Sequence, residues 1–343
     1  MQAKEALKWA TQQLKENKVS EPEKSAEFLL RQVLGSSLCH SRPPLSFPRR
    51  RESLRRINSG GNPVRDRGWI ITHNDYELSR VEEEQFRQFI ARRKKHEPVW
   101  YITGRIEFYG LDLEVNQDVL IPRPETEFLV EEVLSVIPAE AGIQRKDCID
   151  SRLCGNDSKK GGNDNAARIL ELGTGSGAIT LALAKNAKCD FYASDISSDA
   201  LKIAKKNAKR LGLDSRSGSG MTKIVGIEFR QGDLLAPWHG EVFDIIVANL
   251  PYIPHEDLDS LALDIHHWEP RVALDGGKEG LEIYERLIKQ AKDYLNENYQ
   301  MFFEIGIGQG KGIRKLVEKY LPEASVEIKK DYGDIDRIAI IKG

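Results

Sequence analysis

The sequence predicts an α/β protein whose largest part is a doubly wound, mostly parallel sheet. From residue 168 onward, short apolar runs typical of buried strands alternate with segments of helical spacing. Such alternation favours a parallel sheet, because each helical crossover returns the chain to the same edge of the sheet. Ligands of these sheets bind beyond the carboxyl ends of the strands, and function is therefore expected there.

Seven strands and four helices are predicted in this part of the chain. The strands are "RILELG", "CDFYASD", "VGIEFRQGD", "FDIIVAN", "QMFFEIG", "SVEIKKD" and "DRIAIIK", and the helices are "GAITLALAKNA", "SSDALKIAKKNAKRLGL", "LEIYERLIKQAKDYL" and "GKGIRKLVEKYL". The second helix illustrates the spacing, and the apolar residues of its buried face are Leu201, Ala204, Ala208 and Leu211.

The first part of the chain predicts a small helical unit. Residues 1–38 carry apolar positions at helical spacing, and a further helix is expected at 81–95. Two stretches interrupt the pattern, at 41–68 and at 138–165. The first is rich in Arg and Pro, and the second is rich in Gly and charged residues. Neither can bury enough apolar area to order itself, so both are predicted to be disordered surface inserts.

The composition narrows the class of protein. Of the 343 residues, 40% are apolar and 30% are charged, which fits a globular fold better than a disordered chain. No apolar run approaches the roughly 18 residues of a membrane helix, and the charged N-terminal stretch lacks the apolar core of a signal peptide. Four cysteines without a CxxC pair favour free thiols in a reducing cytoplasm. A net charge of −2 gives no general attraction to nucleic acid or acidic membranes.

Three consecutive predicted strands end in candidate ligand-binding residues. The turn "ELGTGSG" contains Gly173, Gly175 and Gly177, where the backbone can approach a ligand closely. Its GxGxG spacing differs from the GxGxxG of dinucleotide folds, which argues against a dehydrogenase. Asp195 would accept hydrogen bonds from ribose hydroxyls, unless it only caps the next helix. Asp233 would meet an adenine amino group, or else lies in a surface turn.

The fourth strand ends in "DIIVANLPYIP", where an amide, a proline and an aromatic ring follow a buried run. A glycine turn, two carboxylates and Asn249 at consecutive strand ends indicate an adenosine-containing ligand beside that asparagine. The sequence contains no phosphate-binding Lys motif. S-adenosylmethionine therefore fits these strand ends better than ATP or a nicotinamide cofactor.

The motifs resemble a known family. "NLPY" is similar to the Asn-Pro-Pro-Tyr signature of amino methyltransferases that modify planar nitrogens. The segment 97–134 with its "LIPRPETE", together with "RILELGTGSGAITLALA", "FEIGIGQG" and "DYGDIDRIAI", resembles the peptide chain release factor glutamine methyltransferases, the PrmC or HemK family. The resemblance covers the whole chain except the two inserts.

This resemblance implies a class I S-adenosylmethionine-dependent methyltransferase fold, Rossmann-like, with three parts. Residues 1–98 would form a helical substrate-recognition domain, 99–125 a β-hairpin linker and 126–343 the methyltransferase domain. The implied product is an N5-methylglutamine in the Gly-Gly-Gln loop of release factors. The candidate cofactor-binding residues are Gly173, Thr174, Gly175, Ser176, Gly177, Asp195, Asp233, Leu234 and Asn249.

The "NLPY" residues are the candidates for substrate binding and catalysis. The lone pair of a glutamine amide nitrogen is delocalised, so an enzyme gains by accepting both N–H groups and aiming the nitrogen at the methyl group. Asn249 offers a side-chain oxygen, and Leu250 offers its carbonyl, which Pro251 holds in an extended conformation. Tyr252 supplies a ring against which a planar amide can pack. The family usually has proline where this chain has Leu250.

Other residues have weaker interpretations. Arg123 and Glu125 would form a loop that closes over the cofactor and the glutamine, or else a rigid turn into a helix. His266 and His267 lack a third ligand nearby in sequence and would point apart, so a structural segment and no metal are expected.

Two further functions stay open at this point: an amino methyltransferase acting on a nucleobase or on a ribosomal protein glutamine, and a non-catalytic adenosylmethionine binder. A nucleic-acid enzyme would usually carry a basic groove, and the net charge of −2 argues against it. A cytoplasmic monomer that acts on a protein partner is therefore expected.

The insert assignment predicts the result of a deletion. Because neither insert contributes apolar residues to a core, excising 42–67 or 140–164 should leave a folded, active protein. Thermal unfolding and methyl transfer of the shortened chains measure this. A shortened chain that fails to fold would show that the excised stretch is structural.

Overall fold

The computed structural model describes residues 1–36, 75–137, 166–213, 226–331 and 333–343. The predicted inserts lie outside the described residues, and so does the deletion test built on them. The chain divides into two compact units, the first comprising Met1–Gly104 and Leu263–Trp268 and the second Arg105–Ala262 and Glu269–Gly343. The first unit therefore contains a segment that the chain reaches only after most of the second unit.

The first unit is helical. Its helices are α1 (Ala3–Glu16), α2 (Pro22–Ser36), α3 (Arg80–Arg93) and α4 (Val99–Thr103), with a further single turn at Leu263–His266. Helix α3 begins with a capping box, in which the Ser79 hydroxyl accepts from the Glu82 backbone N–H and the Glu82 carboxylate accepts from the Ser79 N–H. The fully buried side chains of these helices include Ala6, Leu14, Leu29, Leu30, Val33 and Phe86.

A buried arginine ties the late segment into this unit. The Arg93 side chain is only 5% exposed and donates to the Glu97 carbonyl at 3.1 Å. It also pairs with Asp264 at 3.4 Å, and the Trp268 ring nitrogen donates to the Lys95 carbonyl at 3.1 Å. A buried guanidinium needs several acceptors, and the late segment supplies one of them.

The second unit begins with the predicted hairpin and continues as a seven-stranded sheet. Strands β1 (Arg105–Phe108) and β2 (Leu111–Glu114) pair antiparallel. The sheet strands are β3 (Arg168–Leu172), β4 (Asp190–Asp195), β5 (Ile227–Gln231), β6 (Phe243–Ala248), β7 (Leu295–Glu304), β8 (Ser325–Lys330) and β9 (Asp336–Lys342). Their order is β5-β4-β3-β6-β7-β9-β8, and only the pairs that involve β9 are antiparallel.

Helices cover both faces of this sheet. They are α5 (Thr126–Val136), α6 (Ala178–Asn186), α7 (Ser198–Arg210), α8 (Glu282–Ala291) and α9 (Gly310–Tyr320). Leu170, Ile246 and Phe303 point to one face, where they form a core with residues of α8 and α9. Their neighbours Ile169 and Val247 are also buried, because successive residues of a strand point to opposite faces.

The predicted boundary between the third helix and the fifth strand needs correction. The helix was expected to continue to Leu295 and the strand to begin at Gln300. In the structure α8 ends at Ala291, a single 3₁₀ turn follows at Lys292–Tyr294, and β7 starts at Leu295. Sequence periodicity could not separate these elements, since Leu295 is apolar and fits either pattern.

Strand β3 has β4 on one side and β6 on the other, both parallel to it. The chain runs from β3 outward to β4 and β5 and then crosses back to β6 on the other side of β3, so the direction of the strand order reverses at β3. Such a reversal opens a crevice at the carboxyl ends of the strands. None of the helices in the described part of the chain has the length and apolar content that crossing a bilayer requires.

Candidate active site

A cavity of about 540 Å³ lies at the carboxyl ends of β3, β4, β5 and β6. This volume is within the usual range for small-molecule sites. Two outer segments, 118–120 and 270–273, also contribute to its wall. Of the sequence-predicted site residues, those that line it are Gly173, Gly175, Asp195, Asp233, Leu234, Asn249, Leu250 and Pro251. The structure thus brings most of the predicted site together.

The glycine turn is fixed against the end of β4. The backbone N–H groups of Gly173 and Thr174 donate to the Ser194 carbonyl at 2.9 and 3.0 Å. Gly173 and Gly175 have φ of +71° and +55°, a backbone region that residues other than glycine rarely adopt. A Cβ on Gly173 would lie 3.0 Å from the Leu250 side chain, whereas one on Gly175 would meet open space. The first glycine is therefore needed for packing, and the second leaves room in the cavity.

A buried carboxyl group holds the inner side of this turn. Glu171 is 2% exposed and accepts from the Thr174 hydroxyl at 2.6 Å and from the Thr180 backbone N–H at 3.0 Å. Burial raises the pKa of Glu171 to about 7, while these hydrogen bonds oppose the shift. Sequence reasoning missed Glu171 as a site residue. Its place at the start of the "ELGTGSG" stretch, two residues before Gly173, was the available signal.

Three predicted cofactor residues occupy the turn without lining the cavity. Thr174 and Ser176 are buried, and Gly177 forms the N-cap of α6 with φ +84°. A Cβ on Gly177 would approach the Leu181 side chain to 2.9 Å. Their contacts serve the packing of the turn, and a cofactor role for their side chains stays a prediction.

Asp195 joins the glycine turn to the next helix and faces the cavity. One carboxylate oxygen accepts from the Gly175 N–H and the other from the Ser197 N–H, each at 2.8 Å. Helix α7 is capped by the Ser197 hydroxyl, which accepts from the Ala200 N–H at 3.1 Å. Burial raises the pKa of Asp195 above its ordinary value, and the backbone hydrogen bonds from Ser197, Gly175 and Ile196 oppose this shift. A carboxylate has about four acceptor positions, so these three hydrogen bonds leave capacity for a ligand hydroxyl.

The outer wall of the cavity combines charge and apolar surface. Asp233 pairs with Arg286, and both line the cavity. Beside them, Leu234 has φ +50°, and the side chains of Ile196 and Val272 are more than half exposed. Exposed apolar side chains in a cavity wall suit a flat, apolar ligand group.

The "NLPY" segment leaves β6 at the inner end of the cavity. Asn249 is half-buried, and its Nδ2 donates to the Thr126 hydroxyl at 3.1 Å. The Leu250 N–H donates to the Tyr284 hydroxyl at 3.1 Å, and that hydroxyl donates to the Glu304 carbonyl. The extra N–H that leucine introduces in place of proline is therefore satisfied within the core.

Tyr252 follows these residues but does not line the cavity. Its carbonyl accepts from Gln309 Nε2 at 2.9 Å, and Gly280 packs so closely that a Cβ there would lie 2.3 Å from the same carbonyl oxygen. Burial raises the pKa of Tyr252 to about 12, and the charge of Glu304 contributes in the same direction. The phenol is therefore neutral at physiological pH.

An ion pair between Arg123 and Glu269 links the two outer segments of the cavity wall. Arg123 Nη2 lies 2.5 Å from Glu269 Oε1, and the Ile121 N–H donates to Glu269 Oε2 at 3.2 Å. The Glu269 side chain is only 1% exposed, whereas Glu125 is exposed. Because Glu269 contacts the segment after 118–120 and immediately precedes 270–273, these contacts favour the rigid-turn interpretation of "IPRPETE".

The adjacent histidines belong to the first unit. The rings of His266 and His267 lie 4.9 Å apart, so the expectation that they point apart was wrong. The single helical turn at Leu263–His266 changes the directions that an extended segment would give. Within the described residues, no group of three metal-ligating side chains is present.

The sequence matches the family model of a methyltransferase domain over residues 163–269 and that of the PrmC N-terminal domain over 5–40 and 65–104. It is 32% identical to the release factor glutamine methyltransferase of Bacillus cereus over 98% of each chain. This chain belongs to the release factor glutamine methyltransferase family. The corresponding Streptococcus pneumoniae protein is 36% identical over 77% of this chain and 82% of its own.

A solved protein-(glutamine-N5) methyltransferase (release factor-specific) from Alicyclobacillus acidocaldarius is 22% identical, with a TM-score of 0.36 over 67% of this chain and 98% of that chain. Family membership rests on the sequence relatives. The predicted family is confirmed, as is the α/β class with a mostly parallel seven-stranded sheet, N-terminal helices and a hairpin. The domain boundaries and the roles of single residues stay predictions.

The Leu250–Tyr284 hydrogen bond gives a test of the family's usual proline. Tyr284→Phe should destabilise the protein by about 1–3 kcal/mol, because it leaves the buried Leu250 N–H unpaired. The same substitution should cost less when Leu250→Pro has removed that N–H. Urea unfolding of the wild type, the two single variants and the double variant measures both effects. Equal costs in the two backgrounds would mean that the hydrogen bond contributes nothing.

Proposed function

We propose that this chain transfers a methyl group from S-adenosylmethionine to the side-chain amide nitrogen, N5, of the glutamine in the Gly-Gly-Gln motif of peptide chain release factors. Family membership supports the reaction. The observation that carries the proposal to this chain is the position of Asn249 and Leu250, both of which line the same cavity as the glycine turn and Asp195. Amide acceptors and a candidate nucleoside site are thus side by side.

The cavity fits the proposed cofactor. Asp195 offers free acceptor capacity for ribose hydroxyls, and the open space at Gly175 leaves room beside the turn. Asp233 with Leu234, Ile196 and Val272 would surround the adenine. The cofactor supplies a methyl group activated by a sulfonium charge.

The residues of this chain orient the substrate. The Asn249 side-chain oxygen and the Leu250 carbonyl would accept the two N–H groups of the glutamine amide. Pro251 favours an extended conformation at Leu250 and so fixes the direction of that carbonyl. With both N–H groups held, the nitrogen lone pair is aimed at the methyl group, and orientation of this kind accounts for much of the rate. The neutral Tyr252 ring would pack near the amide and would not act as a base.

Selection between substrates must come from surfaces beyond the amide pocket, because any planar NH₂ group fits the same acceptors. We propose a folded protein substrate, a monomeric enzyme and a cytoplasmic location. The net charge of −2 and four cysteines without a CxxC pair support this choice. A nucleobase substrate would instead require phosphate contacts along a groove and strongly salt-dependent binding.

Asn249→Ala should lower methyl transfer by on the order of 100-fold or more, since one oriented acceptor is lost. Affinity for S-adenosylmethionine should stay within a few fold. Asn186→Ala is the matched control, because among the described residues the Asn186 side chain bonds only to the Ala182 carbonyl of its own helix, α6. Label from methyl-tritiated S-adenosylmethionine should enter a release factor and be lost when its Gly-Gly-Gln glutamine becomes alanine. Incorporation into adenine of DNA or RNA, with none into the release factor, would refute the proposal.

Asp195→Ala tests the nucleoside site. Loss of charge-assisted hydrogen bonds to ribose should weaken binding of S-adenosylmethionine by roughly 10- to 100-fold. The substitution also releases the Gly175 N–H, so the unfolding midpoint should be recorded alongside calorimetric titration. Asp199→Ala, on the exposed side of α7, is the control. Unchanged affinity in Asp195→Ala would reduce that residue to a structural role.

A further inference from the structure

A chain of hydrogen bonds runs inward from Asn249. Its Nδ2 donates to the Thr126 hydroxyl at 3.1 Å, and the Thr126 hydroxyl donates to Glu304 Oε2 at 2.7 Å. Thr126 is 3% exposed and Glu304 is 2% exposed. Neither residue lines the cavity, whereas Asn249 does.

The chemistry of these groups fixes which of them donates and which accepts in each hydrogen bond. An ionised carboxylate only accepts, so the single hydroxyl proton of Thr126 goes to Glu304. The Thr126 oxygen can then only accept, and its partner must be the NH₂ side of the Asn249 amide. The Asn249 Oδ1 consequently points away from Thr126 and Glu304. Among the described residues, Oδ1 has no hydrogen-bond partner, and Asn249 lines the cavity.

Burial raises the pKa of Glu304 above its ordinary value, and the charge of Glu125 adds to this shift. The hydrogen bond from Thr126, the charge of Arg337 and a hydrogen bond from Asn249 oppose it. Each of these three opposing contacts stabilises the carboxylate, the form in which Glu304 only accepts a hydrogen bond.

We propose that Thr126 and Glu304 are positioning residues that set the orientation of the Asn249 amide, so that its oxygen faces the nitrogen to be methylated. This inference rests on the proposed function. An asparagine without such a chain could rotate its amide by 180° about χ2 and present NH₂ to the substrate. Two NH₂ groups facing each other cannot form a hydrogen bond, so half of the oriented contacts to the substrate would be lost.

The first test removes and restores the hydroxyl. Thr126→Val keeps the shape of the side chain and should lower kcat by on the order of 10- to 100-fold, while the Kd of S-adenosylhomocysteine stays within about threefold. Thr126→Ser should recover most of the rate. Glu304→Gln should lower kcat in the same way, because an amide at that position can donate and so permits the reverse direction. Thr103→Val, which removes a hydroxyl bonded within α4, is the control.

Two outcomes distinguish a positioning role of Thr126 from a purely structural one. In an Asn249→Ala background, Thr126→Val should have no further effect on kcat, because the group that it orients is absent. A merely structural role would give the same loss in both backgrounds. Full activity of Thr126→Val in the otherwise unchanged chain would overturn the inference while leaving the proposed function intact.

A measurement without substrate tests the inference even if the release factor is not methylated. In protein labelled with ¹⁵N at asparagine, the Asn249 side-chain NH₂ signal is assigned by its loss in Asn249→Ala. Its protons should exchange slowly with solvent in the wild type and in Thr126→Ser, and at least tenfold faster in Thr126→Val. Equal exchange rates in all three chains would overturn the positioning role.

Discussion

The parallel pairing of β3 between β4 and β6 is the constraint on which the site depends. In this register Leu172 lies opposite Ser194 on one side and Ala248 on the other, so the three strands end at the same level. The residues that follow them are therefore neighbours although they are far apart in the chain. The glycine turn, Asp195 and Asn249 meet for this reason, and a shift of one residue in either pairing would point them to opposite faces.

Two carboxyl groups are buried near these strand ends, Glu171 on β3 and Glu304 on β7. Burial disfavours the charged form of each carboxyl group and raises its pKa, and hydrogen bonds from threonine oppose this shift. In both cases the threonine belongs to a segment that touches the cavity wall or one of its residues. These hydrogen bonds link Glu171 to the glycine turn and Glu304 to the first residue of α5.

Much of the fold could be predicted from the sequence, because strand runs and helical spacing are local signals. The glycine turn, Asp195 and Asn249 could be found as well, since each stands at the carboxyl end of a predicted strand. Thr126, Tyr284 and Glu304 could not be found in this way. They lie 123, 34 and 55 residues from Asn249 or Leu250 in the chain, and only the folded sheet brings them into contact. The paired rings at His266 and His267 were missed because a short helical turn has too few residues to show a period.

The late segment Leu263–Trp268 has a consequence for biosynthesis. During translation the first hundred residues emerge early, yet Arg93 cannot meet Asp264 until more than 160 further residues have been made. Until then a buried guanidinium lacks one of its acceptors, so the nascent helical unit is less stable than it becomes in the finished chain. This unit therefore emerges from the ribosome incomplete, and the last step of its assembly follows synthesis of the first four strands of the sheet.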